Sequence, residues 1–168
     1  MGFVLLLGGA RSGKSDRAAR LALESGMRVT FIATATAGDD EMMERISRHR
    51  SARPAAWSTV EAPLDLVAAV AATPADQFVV VDCLTLWVSN LLGAGVAADE
   101  ILRRAEKAAG ELATRPGVVV SNEVGLGIVP ANELARKFRD VLGGVNAAFA
   151  RCAERSVLMV AGRTLELT

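Results

Sequence analysis

The chain has 168 residues, of which 51% are hydrophobic and 23% are charged, a balance that is usual for one globular domain with a buried core. Basic and acidic residues both number 19, and this zero net charge argues against a broad surface for nucleic acid or anionic membranes. Membrane-spanning runs and a signal-peptide core are absent from the sequence, and two cysteines are too few for a disulfide scaffold or a four-cysteine zinc site. We therefore expect a cytoplasmic protein that binds no nucleic acid and has no membrane span.

Short apolar runs that are typical of buried strands alternate along the chain with segments of helical spacing. The predicted strands are 3–9, 28–34, 56–61, 77–85, 117–121, 156–162 and 164–168. The predicted helices are 14–25, 39–51, 63–72 with Pro63 at its start, 85–92, 98–114 and 131–152. This alternation predicts a single α/β domain over residues 1–168, with a mostly parallel sheet, helices on both faces and an antiparallel C-terminal edge strand. Such sheets bind ligands in the loops after the carboxyl ends of their strands.

The first of these loops, GGARSGKS, matches the phosphate-binding pattern G-x-x-x-x-G-K-S between an apolar strand and an amphipathic helix. Gly8 and Gly13 allow backbone conformations in which amide groups point at phosphate oxygens. Lys14 is predicted to reach the β- and γ-phosphates, and the Ser15 hydroxyl is predicted to bind Mg²⁺. The residues predicted to surround the phosphates are Gly8, Gly9, Ala10, Arg11, Ser12, Gly13, Lys14 and Ser15. The sequence therefore predicts a P-loop NTPase-like, nucleotide-binding domain.

Carboxylates follow two other predicted strands. Asp82 ends the apolar run FVVVD, where a P-loop protein needs a carboxylate on the metal side of the nucleotide; a helix N-cap is the alternative. Glu123 follows VVVSN without a defined role, and the neighbouring Gly125 and Gly127 form a weak GxG pattern that also fits a simple turn. We predict that Asp82 and Ser15 together face the metal.

His49 is the only histidine of the chain, and Arg45, Arg48, Arg50 and Arg53 surround it in sequence. On a helix over 39–51 it shares a face with apolar residues, so a partly buried structural histidine is one interpretation. The other is a nucleophile, because nearby positive charge lowers the pKa of an imidazole and leaves a neutral nitrogen that can attack phosphorus. Guanidinium groups would also bind triphosphate oxygens. The residues alone leave both interpretations open.

Three segments carry a resemblance that covers nearly the whole chain: LLLGGARSGKS, FIATATAGDDEMMERISRHRSARPAAWSTVEAP and VSNEVGLGIVPANELARKFRDVLGGVNAAFA. They resemble, in this order, the bifunctional adenosylcobinamide kinase/adenosylcobinamide-phosphate guanylyltransferase family of cobalamin synthesis. The resemblance implies a cytoplasmic enzyme that phosphorylates adenosylcobinamide with ATP or GTP in the presence of Mg²⁺. It also implies transfer of GMP from GTP, through a guanylyl-histidine, to give adenosyl-GDP-cobinamide and pyrophosphate. A corrinoid substrate and a homotrimer are the implied partners.

The resemblance assigns roles to individual residues. His49 would be the guanylylated nucleophile, and Lys14 would stabilise the transferred phosphoryl group. The Glu61 carboxylate would select guanine by accepting hydrogen bonds from the N1–H and N2 amino groups of the base. An exposed residue without that role fits the position of Glu61 equally well. Asp82 would contact the metal, the base or the ribose. The implied nucleotide contacts outside the phosphate loop are Ala33, Thr34, Ala35, Arg50, Ser51, Ala52, Arg53, Glu61 and Asp82.

Two other functions fit parts of the sequence. A P-loop kinase or NTPase of another pathway would turn over γ-phosphate without a covalent adduct. A nucleotide-regulated binding module would hydrolyse nucleotide slowly and bind a partner in a nucleotide-dependent way. Trp57 and Trp87 are predicted to be core or interface residues rather than platforms for the corrinoid.

Overall fold

The computed structural model describes residues 2–38, 40–51 and 53–167. Within helix 40–51 it leaves five side chains undescribed, those of Glu41, Met42, Arg45, Arg48 and His49. The strands are β1 (Phe3–Gly8), β2 (Arg28–Ala33), β3 (Ser58–Glu61), β4 (Gln77–Asp82), β5 (Gly117–Val120), β6 (Arg155–Val160) and β7 (Arg163–Leu167). The helices are α1 (Lys14–Glu24), α2 (Asp40–Ser51), α3 (Leu66–Ala72), α4 (Leu84–Gly93), α5 (Ala98–Leu112) and α6 (Glu133–Cys152).

The strands form one sheet in the order β3-β2-β4-β5-β1-β6-β7. All neighbouring pairs are parallel except β6 and β7, which run antiparallel at the sheet edge. The predicted α/β architecture, including the antiparallel C-terminal edge strand, is therefore confirmed. This order brings the carboxyl ends of β1, β5, β4 and β2 side by side, and so it gathers the predicted site residues at one edge of the sheet.

Two apolar clusters cover the two faces of the sheet. Alternate residues of each strand point to opposite faces, so that Val79 and Val81 of β4 join one cluster while Phe78 and Val80 join the other. The larger cluster includes buried residues of α3, α4, α5 and α6, whereas the smaller one includes Ala18 and Ala22 of α1. Among the described residues of α2, none belongs to either cluster. The central strands β1, β4 and β5 are apolar along most of their length because both of their faces are covered, whereas the edge strands β3 and β7 are exposed.

The predicted helix start at Pro63 is wrong. Helix α3 begins at Leu66, because Asp65 is its N-cap and accepts a hydrogen bond from the amide of Ala68 at 3.2 Å. The Pro63 carbonyl instead accepts a hydrogen bond from Asn90 Nδ2 at 3.1 Å, in the connection that leaves β3. A capping carboxylate closer to the apolar run thus outweighs the preference of proline for the first helical turn.

Several other predicted boundaries shift by a few residues. The strand predicted over 77–85 ends at Asp82, since α4 already begins at Leu84, and the strand predicted from residue 56 begins at Ser58.

Trp87 is fully buried in the larger cluster, and Trp57 is partly buried beside the smaller one, as expected for core residues. Among the described residues, no helix combines the length and the apolarity that crossing a bilayer requires.

Candidate active site

The phosphate loop joins β1 to α1 through glycines with positive φ. Gly8 has φ 150° and Gly13 has φ 93°, and the first residue of α1 follows directly as Lys14. A Cβ atom on Gly8 would lie 2.3 Å from the carbonyl oxygen of Met159, so no other residue fits this position without backbone movement. The loop therefore places the N-terminus of α1 at the carboxyl edge of the sheet, which is a favourable arrangement for phosphate.

Lys14 is folded over the phosphate loop. Its Nζ atom donates to the carbonyl oxygens of Gly8 at 2.9 Å and Gly9 at 2.7 Å, and it lies 3.3 Å from Ser12 Oγ. The side chain is only 7% exposed. The ammonium group is thus held at the phosphate loop. Its predicted contact with the β- and γ-phosphates stays a prediction.

A cavity of about 340 Å³ lies beside the loop, in the size range of small-molecule sites. It is lined by the ends of β2, β3 and β4, by the start of α1 and by α2. The predicted site residues that line it are Ser15, Ala33, Ala35, Arg50, Arg53, Glu61 and Asp82. The structure therefore brings together residues that are separated by up to 67 positions in the sequence.

Helix α2 contributes Ile46 and Arg50 to the cavity lining, and His49 lies between them in the helix. The His49 side chain is outside the described part of the structure, as is the whole of Ala52. Their predicted roles stay predictions. Ser51 ends α2 and is exposed, without contributing to the described lining.

Thr34 joins two strand ends. It is fully buried, its Oγ1 donates to the Cys83 carbonyl at 2.7 Å, and the same atom accepts from the Cys83 amide at 2.8 Å. Its own carbonyl accepts from Asn90 Nδ2 at 2.8 Å. Thr34 thereby fixes the end of β4 against the end of β2, so that Ala33, Ala35 and Asp82 share the cavity wall. Its predicted contact with a nucleotide stays a prediction.

Arg53 is held by an aromatic pair that sequence reasoning missed. Its guanidinium carbon lies 3.5 Å from the centre of the Phe31 ring, and that ring stacks on Trp57 at a centroid distance of 6.4 Å. Partial burial lowers the pKa of Arg53, while the charge of Asp82 raises it and that of Arg50 lowers it. The only sequence signal for this arrangement is an aromatic residue in β2 and another just before β3.

Arg50 and Glu61 both line the cavity; Arg50 Nη1 lies 4.0 Å from Glu61 Oε1, and both side chains are mostly exposed. An exposed pair at this distance contributes little to stability. The same exposure leaves the Glu61 carboxylate accessible to hydrogen-bond donors of a ligand. The position is therefore compatible with the predicted recognition of guanine.

Asp82 ends β4 at the cavity, and the N-cap of α4 is Cys83, so the alternative of Asp82 as the helix cap is not observed. Burial, followed by the charge of Asp82, raises the pKa of the Cys83 thiol to about 11. A thiol with this pKa is uncharged near neutral pH and is a poor nucleophile. Cys83 is therefore part of the cavity wall rather than a candidate for covalent chemistry.

Mg²⁺ suits the donors at this site only together with a nucleotide. Among the described residues, no group of three or more histidine, cysteine, aspartate or glutamate side chains could hold a metal ion. Ser15 and Asp82 line the same cavity, however, and Mg²⁺ commonly takes one or two protein oxygens plus substrate phosphates and water. The residues present therefore fit a nucleotide-dependent Mg²⁺ site.

The glycine loop, its lysine and the strand-end aspartate define a P-loop NTPase-like fold. The chain is similar in structure to the flagellar accessory protein FlaH from Methanocaldococcus jannaschii, with a TM-score of 0.51, 15% identity and coverage of 97% of this chain and 74% of that one. It is also similar to the RadB recombinase, with a TM-score of 0.53, 14% identity and coverage of 94% and 73%. These likenesses concern the fold alone.

The family is shown by sequence. The family model of cobinamide kinase / cobinamide phosphate guanyltransferase matches residues 4–167. The bifunctional adenosylcobalamin biosynthesis protein CobP of Pseudomonas aeruginosa is 48% identical, with 97% of this chain and 95% of the relative covered. The CobU proteins of Salmonella typhimurium and Escherichia coli are 39% and 40% identical, each with 95% of this chain and 96% of the relative covered. The chain belongs to this family of bifunctional enzymes, and the predicted resemblance is confirmed.

Proposed function

We propose that this protein carries both activities of its family in the assembly of the adenosylcobalamin nucleotide loop. It phosphorylates adenosylcobinamide with ATP or GTP, and it then transfers GMP from GTP to the product. The observation that carries the proposal is the single cavity at which the phosphate loop, Asp82, two arginines, Glu61 and helix α2 meet. A P-loop kinase of another pathway would need no histidine-bearing helix at that cavity.

The guanylyl transfer takes place in two displacements at one phosphorus atom. A neutral nitrogen of His49 attacks the α-phosphorus of GTP, a P–N bond forms, and the P–O bond to pyrophosphate breaks with its electron pair on the leaving oxygen. The phosphate of adenosylcobinamide phosphate then attacks the same phosphorus and breaks the P–N bond, which gives adenosyl-GDP-cobinamide and restores the imidazole. A covalent intermediate divides one difficult displacement into two easier ones.

Groups suited to both steps lie in the cavity lining and in the adjacent phosphate loop. Arg50 and Arg53 supply guanidinium donors for phosphate oxygens, and Lys14 supplies an ammonium group in the phosphate loop. When bound, Mg²⁺, which Ser15 and Asp82 would hold, supplies positive charge that offsets the charge of the triphosphate. In the kinase step, positioning of the γ-phosphoryl group and electrostatic stabilisation provide most of the catalysis, and Lys14 is the residue we assign to it.

The test is a covalent adduct. Protein incubated with Mg²⁺ and GTP labelled at the α-phosphate should retain label that survives alkali and is lost in acid, as a phosphorus–nitrogen bond requires. His49→Ala should abolish it. Ser47→Ala is the matched control, because Ser47 lies two positions earlier on the same helix and is exposed. Label that persists in His49→Ala, or that is absent from folded wild-type protein, contradicts the proposal.

The remaining predictions belong to the same proposal. We infer that residues 1–168 act as one catalytic domain in the cytoplasm and that the protein assembles as a trimer. The trimer rests on the resemblance to the family. Sedimentation equilibrium measures it directly, and a monomer or dimer at working concentration would contradict it.

A further inference from the structure

The segment that connects β5 to α6, residues 121–132, exposes apolar side chains beside the phosphate loop. We call it the β5–α6 loop. Leu126 is 84% exposed and Ile128 is 97% exposed, and Val124, Val129 and the nearby Leu134 are exposed as well. Residues 124–131 contain no charged side chain. Exposed apolar groups that are contiguous in this way mark a binding surface more often than scattered ones do.

The base of this loop is attached to the phosphate loop. The amide of Glu123 donates to the carbonyl oxygen of Gly8 at 3.1 Å, which is the oxygen that also accepts from Lys14 Nζ. The amide of Asn122 donates to Thr85 Oγ1 at 2.8 Å, and its carbonyl accepts from the buried Asn146 at 3.1 Å. The start of the loop is therefore fixed between β1, α4 and α6, next to the site of the transferred phosphoryl group.

The far end of the loop is fixed too. Asn132 caps α6 by accepting from the amide of Ala135 at 3.1 Å, and Arg136 Nη1 donates to the carbonyl oxygens of Pro130 at 2.9 Å and Ala131 at 2.6 Å. At the near end, Glu123 Oε1 accepts from the amide of Gly125 at 2.5 Å. Hydrogen bonds thus hold both ends, while the exposed apolar residues between them belong to neither apolar cluster.

The β5–α6 loop, which lies within the described residues, does not contribute to the lining of the cavity, so the side of this loop is available to the corrinoid substrate. The cavity is lined by the ends of β2, β3 and β4, whereas the β5–α6 loop follows β5, the strand hydrogen-bonded between β4 and β1. A nucleotide would occupy much of a cavity of about 340 Å³, and the far larger corrinoid macrocycle then needs a further surface next to it. The hydroxyl to be phosphorylated must nevertheless reach the γ-phosphorus at the phosphate loop.

We propose that the β5–α6 loop is the docking surface for the macrocycle of the corrinoid substrate. The inference rests on the proposed function. The rim of a corrin ring carries methyl groups and uncharged amides, which suit the uncharged, apolar tip around Leu126 and Ile128. The attachment of Glu123 to Gly8 then sets the distance between the docked ring and the phosphate loop. The loop acts by positioning the acceptor and takes no part in bond making.

The test separates the acceptor from the nucleotide. Ile128→Ser and the double variant Leu126→Ser/Ile128→Ser should raise the KM for cobinamide in the kinase reaction about tenfold or more, because the lost burial of a large apolar side chain amounts to that factor. The KM for the nucleotide and the yield of guanylyl adduct from GTP alone should not change. Equilibrium dialysis of cobinamide against each variant, followed by its visible absorbance, should show the same loss of binding without turnover.

Leu165→Ser is the matched control, since Leu165 is also an exposed leucine but lies on the edge strand β7, outside the β5–α6 loop. It should leave both KM values unchanged. An unchanged cobinamide KM in the loop variants overturns the proposal. Loop variants that sediment as smaller species and lose adduct formation as well would identify the loop as an interface between copies of this chain, which also overturns it. Wild-type protein that forms the adduct but neither binds nor phosphorylates cobinamide would refute the kinase assignment itself.

Discussion

The two sides of the candidate active site are built in different ways. The phosphate loop follows the mostly buried strand β1, contains a buried lysine and packs against Met159 of a neighbouring strand. On the opposite side, the described residues of α2 lie outside both apolar clusters, and Arg50 and Glu61 are exposed. The phosphate-binding side is thus continuous with the hydrophobic core, whereas the described residues of the helix that carries His49 lie outside that core. Substitutions on the first side should affect stability and chemistry together, and those on the second should affect chemistry alone.

The largest effect is expected for Lys14→Ala. Loss of the ammonium group removes the cation that we propose stabilises the transferred phosphoryl group, so kcat of the kinase reaction should fall about a hundredfold to a thousandfold. Urea denaturation should also show a loss of about 1 kcal/mol, because the buried Lys14 Nζ no longer donates to the carbonyl oxygens of Gly8 and Gly9. Lys14→Arg is the control, because it keeps the positive charge but replaces the ammonium group with a larger, planar guanidinium group. Kinase activity close to wild type in Lys14→Ala would show that the phosphate loop does not bind the reacting nucleotide.

Gly8→Ala tests whether the phosphate loop belongs to the folding core. Its Cβ would lie 2.3 Å from the Met159 carbonyl oxygen, so the backbone must shift, and the free energy of unfolding should fall by about 3 kcal/mol. Gly9→Ala is the matched control, since a Cβ there meets nothing within 4 Å. Chemical denaturation of both variants measures the difference. Equal stability of the two would contradict the close approach at Gly8.

Glu61→Gln examines the exposed side. An amide cannot accept from both the N1–H and the N2 amino group of guanine as a carboxylate does, so the preference for GTP over ATP in adduct formation should fall about tenfold. Stability should stay the same, because the ion pair with Arg50 is exposed and 4.0 Å long. Competition between the two labelled nucleotides gives the ratio. A preference that survives the substitution would move guanine recognition to another residue.

The sequence was sufficient for whatever depends on local pattern. Apolar runs and the glycine pattern predicted the parallel sheet, the phosphate loop and Asp82 at a strand end, because each is encoded within a few residues. It misplaced the start of α3, where the Asp65 cap outweighs Pro63. The sequence also could not show that the buried Thr34 joins the ends of two strands, since its hydrogen-bond partners Cys83 and Asn90 come from another part of the chain. Contacts between residues of different strands and helices depend on the tertiary structure, and the periodicity of apolar residues does not predict them.

The smallest expected effect on activity comes from the contact between Phe31 and Arg53. This contact links the core to the exposed side of the site, because the buried ring of Phe31 in β2 packs against Arg53, which lines the cavity. Phe31→Leu keeps an apolar group in the core but removes the ring face, so the KM for GTP should rise about twofold to fivefold. Phe78→Leu is the matched control, since Phe78 belongs to the same apolar cluster in β4. Both variants should lose about 1 kcal/mol of stability, and only the first should change the KM. A KM that rises equally in both would mean that core packing in general, rather than the ring beneath Arg53, keeps the nucleotide site in shape.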